Sequence, residues 1–249
     1  MFKLDKYKIG RILEELADTP EYLDIWLPYF NNKEALLEDR KDSVFQLTDI
    51  LVDNALGLYA LGRLAEVRPY FEQAAPYAFL RGFDPELRTH NNEWTIQEEL
   101  NICLLFANED TAAKLKQLAL PFKIGSITQR SIDCYNQLLI KAGTGQALQI
   151  DELELTIAEA KATKDKDVQQ YIVSLLEALL AIETANQDMW QSSIAKAVKW
   201  HADECQFGSL KDLGKFICFN ALTLAKLGKD RHNWQCQTDS VYLPLFLID

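Results

Sequence analysis

The sequence predicts an all-α protein of stacked antiparallel helical hairpins, either tetratricopeptide- or HEAT-like or an orthogonal helical bundle. Three observations carry this. Leu and Ala supply 63 of the 249 residues while Val supplies 7, so strong helix formers displace β-branched side chains. Apolar residues recur at i, i+3, i+4 and i+7, and strict two-residue alternation is nowhere sustained. Breaks between helix pairs fall near Gly62, Asn108, Gly145, Asn186 and Gly228, at separations of 46, 37, 41 and 42 residues, a loose period of the kind paired-helix repeats show.

The elements follow in order. Helices are expected over 9–18 and 20–30, separated at Thr19-Pro20-Glu21, an N-cap followed by Pro at the first helical position. A short helix over 33–40 comes next. Ser43-x-x-Gln46 matches a capping box and opens 44–62, with Leu47, Ile50, Leu51, Asn54, Leu58 and Leu61 on one face and Gly62 as the stop. A helix over 64–81 ends at Gly82. Residues 82–94 form the longest break and the one possible subdivision of a chain otherwise read as a single domain, 1–249. Thr95-x-x-Glu98 opens 95–107, and 110–120 follows. Ser126-x-x-Gln129 opens 127–142, which Gly143 stops. Asp151 caps 151–163. Helix 166–185 carries Val168, Tyr171, Ile172, Leu175, Leu176, Leu179 and Ile182 on one face, and 188–202 carries Trp190, Ile194, Ala197, Val198 and His201 on another. Ser209 opens 210–227, which Gly228 ends. The apolar end, 239–249, is broken by Pro244. Left exposed it would invite aggregation, so it is expected to pack back over the last helices.

Charge narrows the partners. Lys and Arg number 26 against 37 Asp and Glu, a net −11, with a pI of about 4.8. Such a surface repels nucleic-acid phosphates and anionic lipid and suits a basic protein. The five cysteines are odd in number and lack a C-x-x-C spacing, as expected of reduced thiols in a cytoplasmic protein. The residues after Met1 form no apolar leader. The longest apolar run, Val241 to Ile248, has eight residues and contains Pro244, too short to span a bilayer.

Chemistry-bearing motifs are sparse. His201 and Cys205 stand four apart, a spacing that places two ligands on one helix face, but His90, His232 and Cys236 add no paired spacing. Adjacent pairs such as Glu14-Glu15, Glu98-Glu99 and Asp203-Glu204 point about 100° apart on a helix and form no acid–base dyad. Gly143-Thr144-Gly145 lacks the rest of a phosphate loop. No catalytic residue, cofactor or metal is therefore expected. The most asymmetric segment is 84–110, where Asp84, Glu86, Glu93, Glu98, Glu99, Glu109 and Asp110 face only Arg88, a local balance of −6 with Trp94 in its midst. An aromatic anchor ringed by carboxylates suits docking of a basic protein.

Several features together resemble a known family. These are the acidic helical chain, the Ala-Leu-Gly-rich hairpin at Ala55–Ala75, the Asn101–Leu120 hairpin with its Asn108-Glu109-Asp110 turn, and the Tyr242-Leu243-Pro244 ending. They look like bacterial immunity proteins of polymorphic toxin systems, most nearly immunity family 49. The resemblance is one of pattern and carries over no residue roles. It implies a cytoplasmic antitoxin that binds one cognate toxin domain and blocks it. The alternative is a tetratricopeptide-like scaffold or adaptor for peptides or proteins.

Overall fold

Helix-forming composition and legible stops produce ten α-helices, and no strand, among the described residues of a computed structural model. The structure describes every residue except Met1, Lys3, His90, Asn91, 119–125, Ser209 and 211–215. The helices are α1 (Lys6–Asn31), α2 (Leu37–Ala60), α3 (Val67–Phe83), α4 (Ile96–Phe106), α5 (Glu109–Lys116), α6 (Ile127–Gly143), α7 (Ile150–Lys161), α8 (Val173–Glu183), α9 (Gln187–Phe207) and α10 (Phe219–His232). None among the described residues is long and apolar enough to cross a membrane. The all-α prediction holds. The chain divides into two compact units within α5. Unit 1 comprises the described residues up to Ala112 together with Phe216; unit 2 comprises those from Ala113 to Leu210 and from Ile217 onward. The described residues of 82–94, the longest break and the expected point of subdivision, lie inside unit 1.

In unit 1, α1 packs on α2, α2 on α3 and α3 on α4, a row of consecutive neighbours. Val44, Leu47 and Ala55 of α2, Phe71 and Ala78 of α3, and Leu100 of α4 are fully buried between them. Phe71 stacks on Phe106 at 4.8 Å between centroids. Unit 2 is arranged differently: α8 is central and touches α6, α7, α9 and α10. Its anchor is Trp190, wholly buried, whose Nε1 donates to the Leu224 carbonyl at 3.0 Å. A Cβ at Gly228 would lie 2.5 Å from the Trp190 ring, so this glycine permits a close helix approach.

Three hairpin turns share one hydrogen-bond pattern. After α2, Gly62 N–H donates to Tyr59 O and Arg63 N–H to Leu58 O; after α6, Gly145 to Ala142 and Gln146 to Lys141; after α8, Ala185 to Ile182 and Asn186 to Ala181. These paired bonds satisfy the last carbonyls of each helix in the Schellman manner. The turning residue is left-handed in each case, with φ of 77° at Gly62, 84° at Gly145 and 52° at Ala185.

Several expected boundaries move. Pro20 starts no helix: α1 runs through it, and Thr19, buried, donates its hydroxyl to Glu15 O at 2.9 Å while accepting from Asn54 Nδ2 at 2.7 Å. The interhelix contact holds Thr19 as a helical residue instead of a cap. Ser43 likewise lies inside α2, bonded back to Asp39 O, and the expected helix 33–40 survives only as the start of α2 at Leu37. Thr95 stands at the N-cap of α4 as expected but makes no side-chain cap bond; Asn92 Oδ1 instead accepts from the N–H of Trp94 and Thr95 in the turn before it. Gln149, not Asp151, precedes α7. The capping box of Ser126 and Gln129 is formed as expected. Gly82 and Gly228 lie within helices at close packings, and α10 ends instead at Asn233, left-handed at φ 57°. The expected cap Ser209 lies outside the described residues, and α10 begins at Phe219.

The end of the chain folds onto α10. Cys218 N–H donates to Tyr242 O at 2.8 Å, Lys229 Nζ donates to Ile248 O at 2.9 Å, and Leu243 and Leu247 are buried. Burial of these leucines disposes of the exposed apolar run that the sequence would otherwise present.

Candidate functional site

The acidic segment of unit 1 is a surface only in part. Glu86, Glu109 and Asp110 are exposed, and Asp84, Trp94 and Glu98 are half-buried. Asp84 Oδ1 accepts from the N–H of Glu86 and Leu87, both at 2.9 Å, so this carboxylate shapes the turn after α3. Glu93 and Glu99 are 5% and 0% exposed, which corrects their placement on a docking face. Glu99 is held by buried Arg81, whose Nε donates to its Oε1 at 2.7 Å. Arg81 also pairs with Asp49, and its guanidinium lies over the Phe45 ring at 5.3 Å. Burial pulls the Arg81 pKa down, but the charges of Glu99 and Asp49 outweigh it, and the guanidinium is held protonated above its ordinary value. Gly82 admits this contact: a Cβ there would lie 3.1 Å from that of Glu99.

A second surface in unit 1 was not read from the sequence. Tyr22, Ile25 and Tyr29 of α1 are 41%, 45% and 49% exposed, at i, i+3 and i+7. Exposed Glu14 and Glu21 and half-buried Asp18 share that side of the helix. As the outermost helix of the row, α1 buries only Ile12 and Thr19. The spacing was visible, but the sequence does not show that a helix is at the end of a row.

Unit 2 contains an open groove of about 430 Å³ between the end of α7, the start of α8 and α9. The chain enters α8 through a π-turn, Val168–Ile172, whose wide ring closes from Val173 N–H to Val168 O. This turn buries Val168, Tyr171 and Ile172 together and leaves Gln169 and Gln170 exposed in the groove. Lys161 stands on one side, Lys196 and Lys199 on the other. Glu177 joins the sides, 2.8 Å from Lys161 and 3.5 Å from Lys196, while Lys199 pairs with Asp203 at 2.5 Å. Trp200 stacks on Tyr171 at 4.2 Å between centroids. Beneath lies a buried polar chain: Tyr135 Oη donates to Asn220 Oδ1 at 2.9 Å, Asn220 Nδ2 donates to Tyr171 Oη at 3.2 Å, and Cys218 Sγ is 3.6 Å from Tyr171 Oη. Burial pushes the Cys218 thiol up to about 11 and raises both tyrosines, so the cluster is neutral at ordinary pH. Asp167 beside the groove is also raised, by burial first and then by the charges of Asp165 and Glu204.

His201 is buried and meets the Tyr242 ring edge-on at 5.6 Å. His232 Nε2 lies 2.7 Å from Ile182 O, and its ring stacks on Trp234. No group of three or more His, Cys, Asp or Glu among the described residues could hold a metal, and His90 lies outside them.

The fold and these surfaces define a class, an all-α protein of helical hairpins with acidic and cationic faces. No family model, curated protein or solved structure matches the chain.

Proposed function

We propose that this protein is a cytoplasmic immunity protein, which binds a basic cognate toxin domain and neutralises it by stoichiometric occlusion. The single observation that carries the reading is the exposed face of α1, where Tyr22, Ile25 and Tyr29 stand unburied beside Glu14, Asp18 and Glu21. Exposed aromatic anchors with flanking carboxylates are the composition of a protein interface aimed at a basic partner. Exposed Glu86, Glu109 and Asp110, with half-buried Trp94 and Glu98, extend the acidic surface of the same unit. Net charge −11 would steer a basic partner toward it. The test is purification of the tagged protein from its native cell at moderate salt, with mass identification of whatever is stoichiometric. A single toxin-like partner whose lethality this protein suppresses supports the reading. Several weak partners sharing a peptide motif overturn it and favour an adaptor.

A further inference from the structure

The groove of unit 2 has no part in that reading, and its lining is rich in lysine. Three lysines line it against two carboxylates, with Asp167 close to Trp200, on a chain of net −11. The lysines are the exposed part: Lys161, Lys196 and Lys199 are 54%, 59% and 75% exposed at their side chains. One carboxylate, Glu177, serves both Lys161 and Lys196, at 2.8 and 3.5 Å, so the longer pair is open to exchange. The floor, by contrast, is fixed. Trp200 stacks on Tyr171, and the Tyr171 hydroxyl is tied through Asn220 to Tyr135 in the core. Buried Val173 and Ser174 line the groove beside it, and the π-turn sets Gln170 into it with an amide that can both donate and accept. A rigid aromatic wall needs no ordering on binding, which lowers the entropic cost.

We propose that this groove binds an extended acidic peptide segment, seating an apolar side chain against Trp200 and exchanging its carboxylates with Glu177 and Asp203 for Lys161, Lys196 and Lys199. Cations on both sides ask for carboxylates spaced along a chain, and Gln170 matches a peptide amide. The cleft is open, with Lys161 at the end of α7 and Lys196 and Lys199 on α9, so a chain can lie between the two walls. The inference stands apart from toxin binding, which uses unit 1.

The test is selection of a random short-peptide library on the purified full chain at low salt, followed by titration of an enriched peptide. The expected result is enrichment of Asp- and Glu-bearing peptides with an apolar residue between the acids. Their affinity falls by about tenfold or more in Lys196→Glu/Lys199→Glu, whose exposed positions leave folding intact, and is unchanged in Glu86→Lys/Asp110→Lys. Binding also quenches or shifts tryptophan emission, and Trp200→Phe removes that signal and lowers the affinity, read by calorimetry. No enrichment, enrichment of basic peptides, or acidic peptides that bind the double lysine variant equally overturns the proposal. So does saturable binding of inorganic phosphate or ATP at the groove with no peptide competing.

Discussion

Arg81 shows how one residue converts an apparent surface charge into a core contact. Adjacent Glu98 and Glu99 look equivalent in sequence, yet one is half-buried and the other is sealed against Arg81. Removing one partner of a buried ion pair leaves an uncompensated charge, which costs about 3–5 kcal/mol. Arg81→Leu is therefore expected to lower the unfolding free energy read from urea denaturation by that order, and Arg81→Leu/Glu99→Leu to recover part of the loss. The same geometry means that charge reversal at Glu99 reports on folding, while reversal at Glu86, Glu109 or Asp110 reports on a partner. Hydrogen-bond partners of this kind leave no trace in the spacing of residues: Arg81 and Glu99 are 18 apart, and Asp49 is 32 from Arg81.

At the scale of elements, the three Schellman turns are a repeated solution in which glycine is used twice and alanine once. Ala185 adopts a left-handed φ of 52°, which costs an L-residue about 1–2 kcal/mol and glycine little. Ala185→Gly is expected to be neutral or to raise stability by about 1 kcal/mol, read from chemical denaturation; a loss of that size would contradict the turn assignment. Most helices are legible because their apolar spacing and stops agree: α3, α4, α6, α7 and α9 fall close to their expected spans. The failures share a cause. Thr19-Pro20 and Ser43 look like caps by local chemistry, but burial against another helix keeps both in helical conformation. Gly82 and Gly228 look like stops but serve close packing against Glu99 and Trp190. The spacing before α8 predicts plain helix where the structure has a π-turn, since its apolar residues fit either ring size. Of the candidate site, the exposed Glu86, Glu109 and Asp110 were legible from charge alone; the α1 face and the groove depend on which helix ends a row and which helices meet, and short-range pattern contains neither.

For the whole molecule, the buried phenols and thiols set a direction of pH dependence. Burial pushes Tyr59 from 10.0 up to about 12 and Cys218 from 9.0 up to about 11, and it raises Tyr135, Tyr171 and Cys103 as well. Each group is raised in the folded state, so its contribution is complete below the unfolded value and is lost as pH climbs through the folded one. Stability should begin to fall above about pH 9 and fall more steeply above about pH 10, with tyrosine ionisation at 295 nm lagging that of the unfolded chain. A flat stability profile to pH 11 would contradict the buried Tyr–Asn–Tyr–Cys cluster.

The proposed occlusion makes one quantitative demand. The most direct test is titration of the co-purified partner's toxic activity with the purified protein, at low and at moderate salt. The account predicts a linear fall to zero at a 1:1 ratio, with association slowed by salt and by Glu86→Lys/Asp110→Lys. Full inhibition at a small fraction of one equivalent would reveal turnover, and persistence of activity at saturation would show that the bound site is left open; either result would contradict neutralisation by stoichiometric occlusion.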